Sequence, residues 1–450
     1  MNGLRRFWRA LREPNLWAIP LGITLAVLVL FVVTMVMDIR QARGVARFER
    51  PGWFSVGGPE DARAILGAIL GTVSTVLALI FSLSLLVFSM AANQFGPRLI
   101  YRFIRDGATQ VTIGLFLATF LHSLLAFVVE RQEGDYVFVP EATILTSILL
   151  VVISFGSLVV YGHRISLAIQ TSTVVSSIVD DVRGALAEAA ANRAAAGGGG
   201  AAARGDGPAP EVDALAARAA AEGTPVYAER TGYVQAIEHE ELLAAADRAG
   251  AVVRLAYRPG QFVMRGAVLA HVLPPDQQAT LAPAIQEHVV IGRHRTLRQD
   301  LEFGISQLVE IALRALSPAV NDTFTGLTCI DWLGYALRQF AELPPWDGGW
   351  RTPSGTVRLL EPRLRFPRVV KAAFDQIREA APGNPAVRIG LLQACARLAP
   401  HIREHEQRRA LLAQVKATWE GASAEALAQA DRDDIDAAYR RAREVLAGPE

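Results

Sequence analysis

Four long, almost uncharged apolar runs crowd into the first 161 residues, near Leu16–Met37, Ala64–Ala91, Gln110–Val129 and Ala142–Tyr161. A helix rises about 1.5 Å per residue, so about 20 apolar residues cross the roughly 30 Å hydrocarbon core of a bilayer. Each run is long enough. In lipid a chain must satisfy its own backbone polar groups, which leaves such runs the helix as their fold. The pattern predicts a multi-pass α-helical membrane domain of four transmembrane helices over residues 1–165, followed by a cytosolic α+β region.

Composition agrees once the chain is divided, because 51% hydrophobic and 20% charged residues average a lipid-solvated part with a charged remainder. A net charge of +1 lacks the concentrated basic surface that nucleic acid needs, so no nucleic-acid partner is expected. Two cysteines, Cys329 and Cys395, make no disulfide framework and suit a reducing compartment. The first run exceeds the 7–15 apolar residues typical of a signal peptide and lacks an A-x-A-like site after Met37. It reads as a retained helix with Trp17 at the interface.

Four crossings put both termini on one side of the bilayer, and arginines near the spans favour that side by eight to six. Arg5, Arg9 and Arg12 share one helical face, and Arg98, Arg102 and Arg105 repeat the spacing. Such segments suit anionic headgroups at a cytoplasmic leaflet, although an ordinary solvated connector has the same composition. The expected placement is a bacterial inner (plasma) membrane with cytoplasmic N- and C-termini, and the lipid bilayer as a partner.

The second run has two unlike sides. Gly67, Gly71, Ser74, Ala78, Ser82, Ser89 and Asn93 fall together, with larger aliphatic residues opposite. This face is expected to be a packing seam, because small residues let helices approach; the sharper alternative is a polar-walled path formed by several copies. His122, midway along the third run, is the one imidazole at bilayer depth. A neutral histidine bonded to a nearby hydroxyl is the simpler expectation, and a proton relay the functional one.

Past Tyr161, residues Ile165, Ile169, Ser172, Val175, Val179, Val182 and Leu186 continue a helical spacing, which reads as a stalk that pairs with copies of itself or lies on its own domain. The Ala/Gly-rich stretch Ala191–Pro210 reads as a linker, completing a segment 166–223. Short strands are expected at Val226–Tyr227, Gly232–Ile237, Val252–Tyr257, Phe262–Met264 and Val268–Val272, with a helix Glu240–Ala249 closed by Gly250. Helices fill the domain 276–450, one carrying Ile305, Leu308, Val309 and Ala312 inward, another capped by Asn321 or Asp322, and a last one capped by Ser423.

Gly232-Tyr233-Val234 and the run from Pro259-Gly260 to Gly266 and Leu269 resemble the glycine and valine pattern of barrel-sandwich hybrid domains. That resemblance implies a small barrel-sandwich-like β module over 224–275. It does not imply a lipoyl or biotinyl carrier, which needs a hairpin lysine, because no lysine precedes Lys371. The segments Phe81–Gln110, Thr231–Leu243, Tyr257–Ala270 and Arg295–Thr325 resemble the DUF2254 family, bacterial membrane proteins of unknown function. The family implies the whole architecture and no catalytic residue.

Motifs for chemistry are mostly missing. Gly197–Gly200 has no following lysine, His239-Glu240 meets Leu243 where a zincin needs histidine, and His401 with His405 sits on a charged segment. Neither a metal nor a cofactor is expected. Arg293, Arg295 and Arg298 precede one helix and Asn321 and Asp322 follow it; converging, they would hold an anionic metabolite or headgroup, and otherwise they are helix caps and ion pairs. The leading expectation is a non-enzymatic membrane protein, a sensor, scaffold or ligand-gated channel-like homo-oligomer. The alternative is an enzyme acting on a lipid or lipid-linked substrate at the inner leaflet.

Overall fold

The computed structural model describes residues 17–43, 58–95, 106–129, 131–133, 136–168, 170–195, 210–344, 346–423 and 427–447. The basic segments holding Arg5, Arg9, Arg12, Arg98, Arg102 and Arg105 lie outside the described residues. The chain divides into two units, Met1–Thr173 and Val174–Glu450.

The first unit contains α1 (Ala18–Ala42), α2 (Pro59–Phe95), α3 (Gly107–Val129) and α4 (Glu141–Ala168), with a short hairpin, β1 (Arg131–Glu133) and β2 (Tyr136–Phe138), before α4. All four helices are long and apolar enough to cross a membrane. α3 packs against the other three, as does α4. Val73, Ile80, Ile113, Phe116 and Tyr161 join α2, α3 and α4, while Val27, Ala118 and Leu150 join α1 to α3 and α4. Gly114 permits the closest approach, since a Cβ there would lie 2.8 Å from Pro20 Cα. Leu21, Leu25 and Val29 on α1, Leu79 and Leu86 on α2, and Val152 and Val159 on α4 are exposed, an apolar coat suited to lipid.

The second unit opens on α5 (Thr171–Ala195), which starts three residues after α4 ends. The stalk spacing is therefore broken near Gln170 instead of running on as one helix. Val175, Ile178, Val179, Val182 and Leu186 are buried. α5 meets its own domain, because Gly304 leaves the space that Val182 occupies. After α6 (Pro210–Glu222) come β3 (Thr224–Tyr227), β4 (Gly232–Ile237), α7 (His239–Arg248), β5 (Val252–Leu255), β6 (Phe262–Val263), β7 (Val268–Leu273), α8 (Gln278–His288) and β8 (Val289–Gly292). Gly250, at φ +63°, ends α7 as a left-handed cap: its N–H bonds Asp247 O and that of Ala251 bonds Ala246 O, both at 2.9 Å.

Like the hairpin β1–β2 in the first unit, three strands of this unit are not signalled by alternation: β8, β9 (Gly349–Arg351) and β10 (Val357–Leu360). They complete a five-stranded sheet, β3-β7-β5-β10-β9, and a three-stranded sheet, β6-β4-β8. β10 returns from far along the chain to lie parallel to β5, with Leu359 opposite Val253. Val234, Ile237 and Val289 from one sheet and Val253, Leu269, Val272 and Leu359 from the other share one core, closed by Leu242 of α7 and Ile285 of α8.

The remaining helices are α9 (Leu301–Ala315), α10 (Thr323–Ala341), α11 (Phe366–Ala380), α12 (Pro385–Leu398), α13 (His405–Ser423) and α14 (Gln429–Ala447). Asp300, Asp322 and Asn384 cap α9, α10 and α12 by accepting from the N–H groups of Phe303, Thr325 and Val387. Ser423 does not start the last helix. It closes α13 with its hydroxyl on Trp419 O, and α14 begins at Gln429.

Candidate functional site

Strand ends bring three side chains of the second unit together. β4 delivers His239 at the first position of α7, β9 carries Trp350, and Glu361 directly follows β10. His239 Nε2 lies 2.8 Å from Glu361 Oε2, and both side chains are buried. The imidazole stacks on Trp350 at 4.0 Å, nearly parallel, and Trp350 Nε1 donates to the same carboxylate oxygen at 3.3 Å. This group forms one wall of a cleft of about 120 Å³.

The facing wall is α5, through Leu186, Glu188, Ala189 and Asn192. Arg193, one residue further, donates to Pro344 O at 3.0 Å with its guanidinium over the rings of Phe340 (5.7 Å) and Trp346 (5.9 Å). Burial pulls this guanidinium down to about 10, against the pull of Glu361 and Glu404, so it stays charged at neutral pH.

The third wall is the turn at Arg258-Pro259-Gly260. Arg258 meets Glu302 at 2.6 Å, and Glu302 holds Arg368 at the same distance with its other oxygen. Burial pushes the Glu302 carboxyl up, but hydrogen bonds from Arg368 and Arg258 outweigh it and leave it below the ordinary range. Asp300 is buried and receives two hydrogen bonds from Arg295, at 2.7 and 2.8 Å. Burial nevertheless wins there, and its carboxyl sits above the ordinary range. Gly260, at φ +87°, is required on two counts, since a Cβ would also fall within the Asp300 carboxylate.

The cleft thus combines indole and aliphatic surface with arginines. Arg258 is neutralised by Glu302, whereas Arg298 is exposed and has no ion-pair partner among the described residues. An apolar or planar body with one acidic group matches that chemistry.

Of the residues singled out from sequence, Arg298 lines the cleft and Arg295 holds Asp300 in its wall. Arg293 is exposed and does not line it. Asn321 and Asp322 lie past the far end of α9, 15 residues long, which sets them about 22 Å away along its axis. There Asp322 caps α10, accepting also from the Thr325 hydroxyl at 2.6 Å, and Asn321 takes a left-handed turn at φ +50°. His239, Glu361, Trp350, Trp346 and Arg193 were missed. Trp346 and Trp350 stand four residues apart in a segment rich in proline and glycine, which is a signal for those two alone, and nothing local ties them to His239.

In the first unit Gly67, Gly71, Ser74, Ala78, Ser82 and Ser89 all face outward from α2, with open space around both glycines. Val73, Ile80 and Val87 take the inward side. Among the described residues, no other helix covers this face. The side chain of Asn93 lies outside the described residues. His122 is fully buried, its Nδ1 2.9 Å from Ser147 Oγ and its ring edge-on to Phe31. Among the described residues no group of three or more His, Cys, Asp or Glu is placed to hold a metal, and His401 pairs with Glu342 at 2.9 Å.

The family model described as "Predicted membrane protein (DUF2254)" matches residues 13–397. Uncharacterized protein Mb1321c of Mycobacterium bovis is 29% identical over 402 residues, covering 87% of this chain and 74% of its own. Uncharacterized protein Rv1290c of Mycobacterium tuberculosis matches with the same identity and coverage. No solved structure matches significantly.

Proposed function

This chain belongs to the DUF2254 family of predicted membrane proteins, and we propose that it is a non-enzymatic inner-membrane sensor whose cytosolic unit binds a small organic anion. One observation carries this reading: the cleft that holds the exposed Arg298, without an ion-pair partner among the described residues, and the buried His239–Glu361–Trp350 group is walled by α5, the helix that follows the last apolar run. A ligand seated there touches the chain segment leaving the membrane, which is what a sensor needs. The arginine balance supports cytoplasmic termini. The core shared by the two sheets supports the barrel-sandwich reading of the β module. The outward small-residue face of α2 supports assembly as a homo-oligomer, since close helix approach without a Cβ suits a second copy.

The test is tryptophan fluorescence of the detergent-solubilised protein titrated with benzoate, indole-3-acetate and inorganic phosphate. Saturable quenching by an aromatic carboxylate, weakened at least tenfold in Arg298→Ala, is expected. Titrations without saturation, or saturation that Arg298→Ala leaves unchanged, contradict it.

The enzyme alternative gains one specific observation, the 2.8 Å His239–Glu361 contact in a cleft, since a carboxylate-oriented imidazole is a general base in many sites. Hydrolysis of a lipid-linked substrate by the wild type, lost in His239→Gln with the melting temperature kept, would favour it.

A further inference from the structure

The first unit holds a row of buried polar side chains that no apolar bundle requires. Thr109, Gln110, Thr112, Thr119, His122 and Ser123 on α3 are each at most 5% exposed, as are Thr143, Ser147 and Ser154 on α4 and Asp38 on α1. From Thr109 to Ser123 the row climbs about 21 Å, and Thr143 lies one turn beyond the level of His122 and Ser147, making about 27 Å in all. That is close to the roughly 30 Å hydrocarbon thickness.

The row forms two hydrogen-bonded halves. In one, Thr119 Oγ1 meets Ser154 Oγ at 2.9 Å, Ser157 Oγ bonds Ser154 O, and Thr112 Oγ1 reaches Ser157 O. In the other, His122 Nδ1 meets Ser147 Oγ, Ser147 Oγ bonds Thr143 O, and Thr143 Oγ1 donates to Asp38 Oδ2 at 2.7 Å. Between the halves lie two buried atoms with no partner among the described residues, His122 Nε2 and Ser123 Oγ. A buried polar atom without a partner is costly and marks a place where water or a proton carrier belongs.

We propose that the four-helix unit conducts protons along this row, with His122 as the relay between its halves. Water is the carrier at the breaks. A hydronium gives its proton to His122 Nε2, forming imidazolium; the Nδ1 proton leaves to Ser147 Oγ while that hydroxyl's own proton passes to water on the Thr143–Asp38 side. One proton enters, one leaves, and only N–H and O–H bonds change. Thr119 Oγ1 with Ser154 Oγ, at 2.9 Å, and Thr143 Oγ1 with Thr34 Oγ1, at 3.2 Å, are the hydroxyl pairs in direct contact along the row. Phe31 and Ser147 touch His122 directly. α1 presents Phe31, Thr34 and Asp38; α4 presents Thr143 and Ser147, with Glu141 in its first turn; α2 presents Ala62 and Leu66 toward this end, with Arg63 exposed. Besides His122, Asp38 and Tyr161 are the ionisable side chains buried in this unit among the described residues.

The full chain in potassium-loaded proteoliposomes containing pyranine, polarised with valinomycin, tests the path. The wild type should acidify the lumen at least tenfold faster than protein-free vesicles. His122→Phe should fall to the protein-free rate, and Ser154→Ala should slow flux severalfold. Thr24→Val, at a buried hydroxyl bonded to Pro20 O of its own helix, should leave flux unchanged. Where His122→Phe does not fold, Thr119→Val and Ser147→Ala give the same reading. Wild-type flux no faster than protein-free vesicles, or flux that none of the row variants slows, overturns the proposal.

Discussion

The carboxylate of Asp38, near the end of the first apolar helix, accepts from Thr143 at the start of the fourth. The Thr143 N–H donates at 3.0 Å and its hydroxyl at 2.7 Å, and the Ala142 N–H adds a third bond at 2.9 Å. A helix N-terminus exposes unsatisfied N–H groups and the positive end of the helix dipole, so a carboxylate from another helix both caps and anchors α4. Asp38→Ala strands the buried Thr143 N–H and the part-buried Ala142 N–H and should cost about 3 kcal/mol. Asp38→Asn, which keeps an acceptor oxygen, should lose less. Thermal unfolding of the purified variants in one detergent checks the order wild type, Asn, Ala.

Gly304 and Val182 give a case where two effects oppose. Glycine-to-alanine inside a helix ordinarily gains up to about 1 kcal/mol in propensity. At Gly304 the added methyl meets the Val182 side chain, and overpacking of a filled core costs about 1–3 kcal/mol. The clash should win, so Gly304→Ala melts lower than wild type. Adding Val182→Ala should recover part of the loss, a coupling that a double-mutant cycle measures directly.

The pairing of Glu302 with Arg258 and Arg368 predicts an acid limb. Its carboxyl is held below the unfolded value of about 4.3, so its contribution to stability is present above that pH and disappears as pH falls through the lower folded value. Asp300 has the opposite sign, its contribution being present at low pH and lost as pH rises through its raised folded value. Glu302→Gln should therefore flatten the fall in melting temperature between about pH 5 and pH 3. An unchanged acid limb would mean that other carboxylates set it.

Cys329 and Cys395 are both buried, and burial pushes each thiol up to about 12. A thiol so protonated and enclosed reacts slowly. Maleimide at pH 7.5 should leave both unmodified in the native protein and label both in denaturant, read by intact mass. Rapid native labelling would place one of them at a surface.

Periodicity in the chain makes the four apolar helices, β3 to β7 and the inward stripe of α9 legible, because each depends on neighbours within a few residues. It also separated the two sides of α2, but which side faces its neighbours depends on other helices, and Val73 and Ile80 fill the interior instead of Gly67 and Gly71. Asp38 looks like a helix-end charge until Thr143, 105 residues away, is placed beside it. The cleft is hidden for the same reason, since His239 and Glu361 meet only once β10 has paired with β5 across the sheet. Arg293 to Arg298 were visible as a polar cluster, and a single helix, α9, sets Asn321 and Asp322 apart from them.

Hydrogen–deuterium exchange over α5 tests the central claim, ligand binding on the helix that follows the membrane spans, most directly. The detergent-solubilised protein would be compared with and without saturating indole-3-acetate, and Arg298→Ala treated alike. Slower exchange across residues 185–193, lost in Arg298→Ala, is the predicted result. Exchange in that segment that is unchanged by the anion, while other parts of the second unit respond, would contradict it.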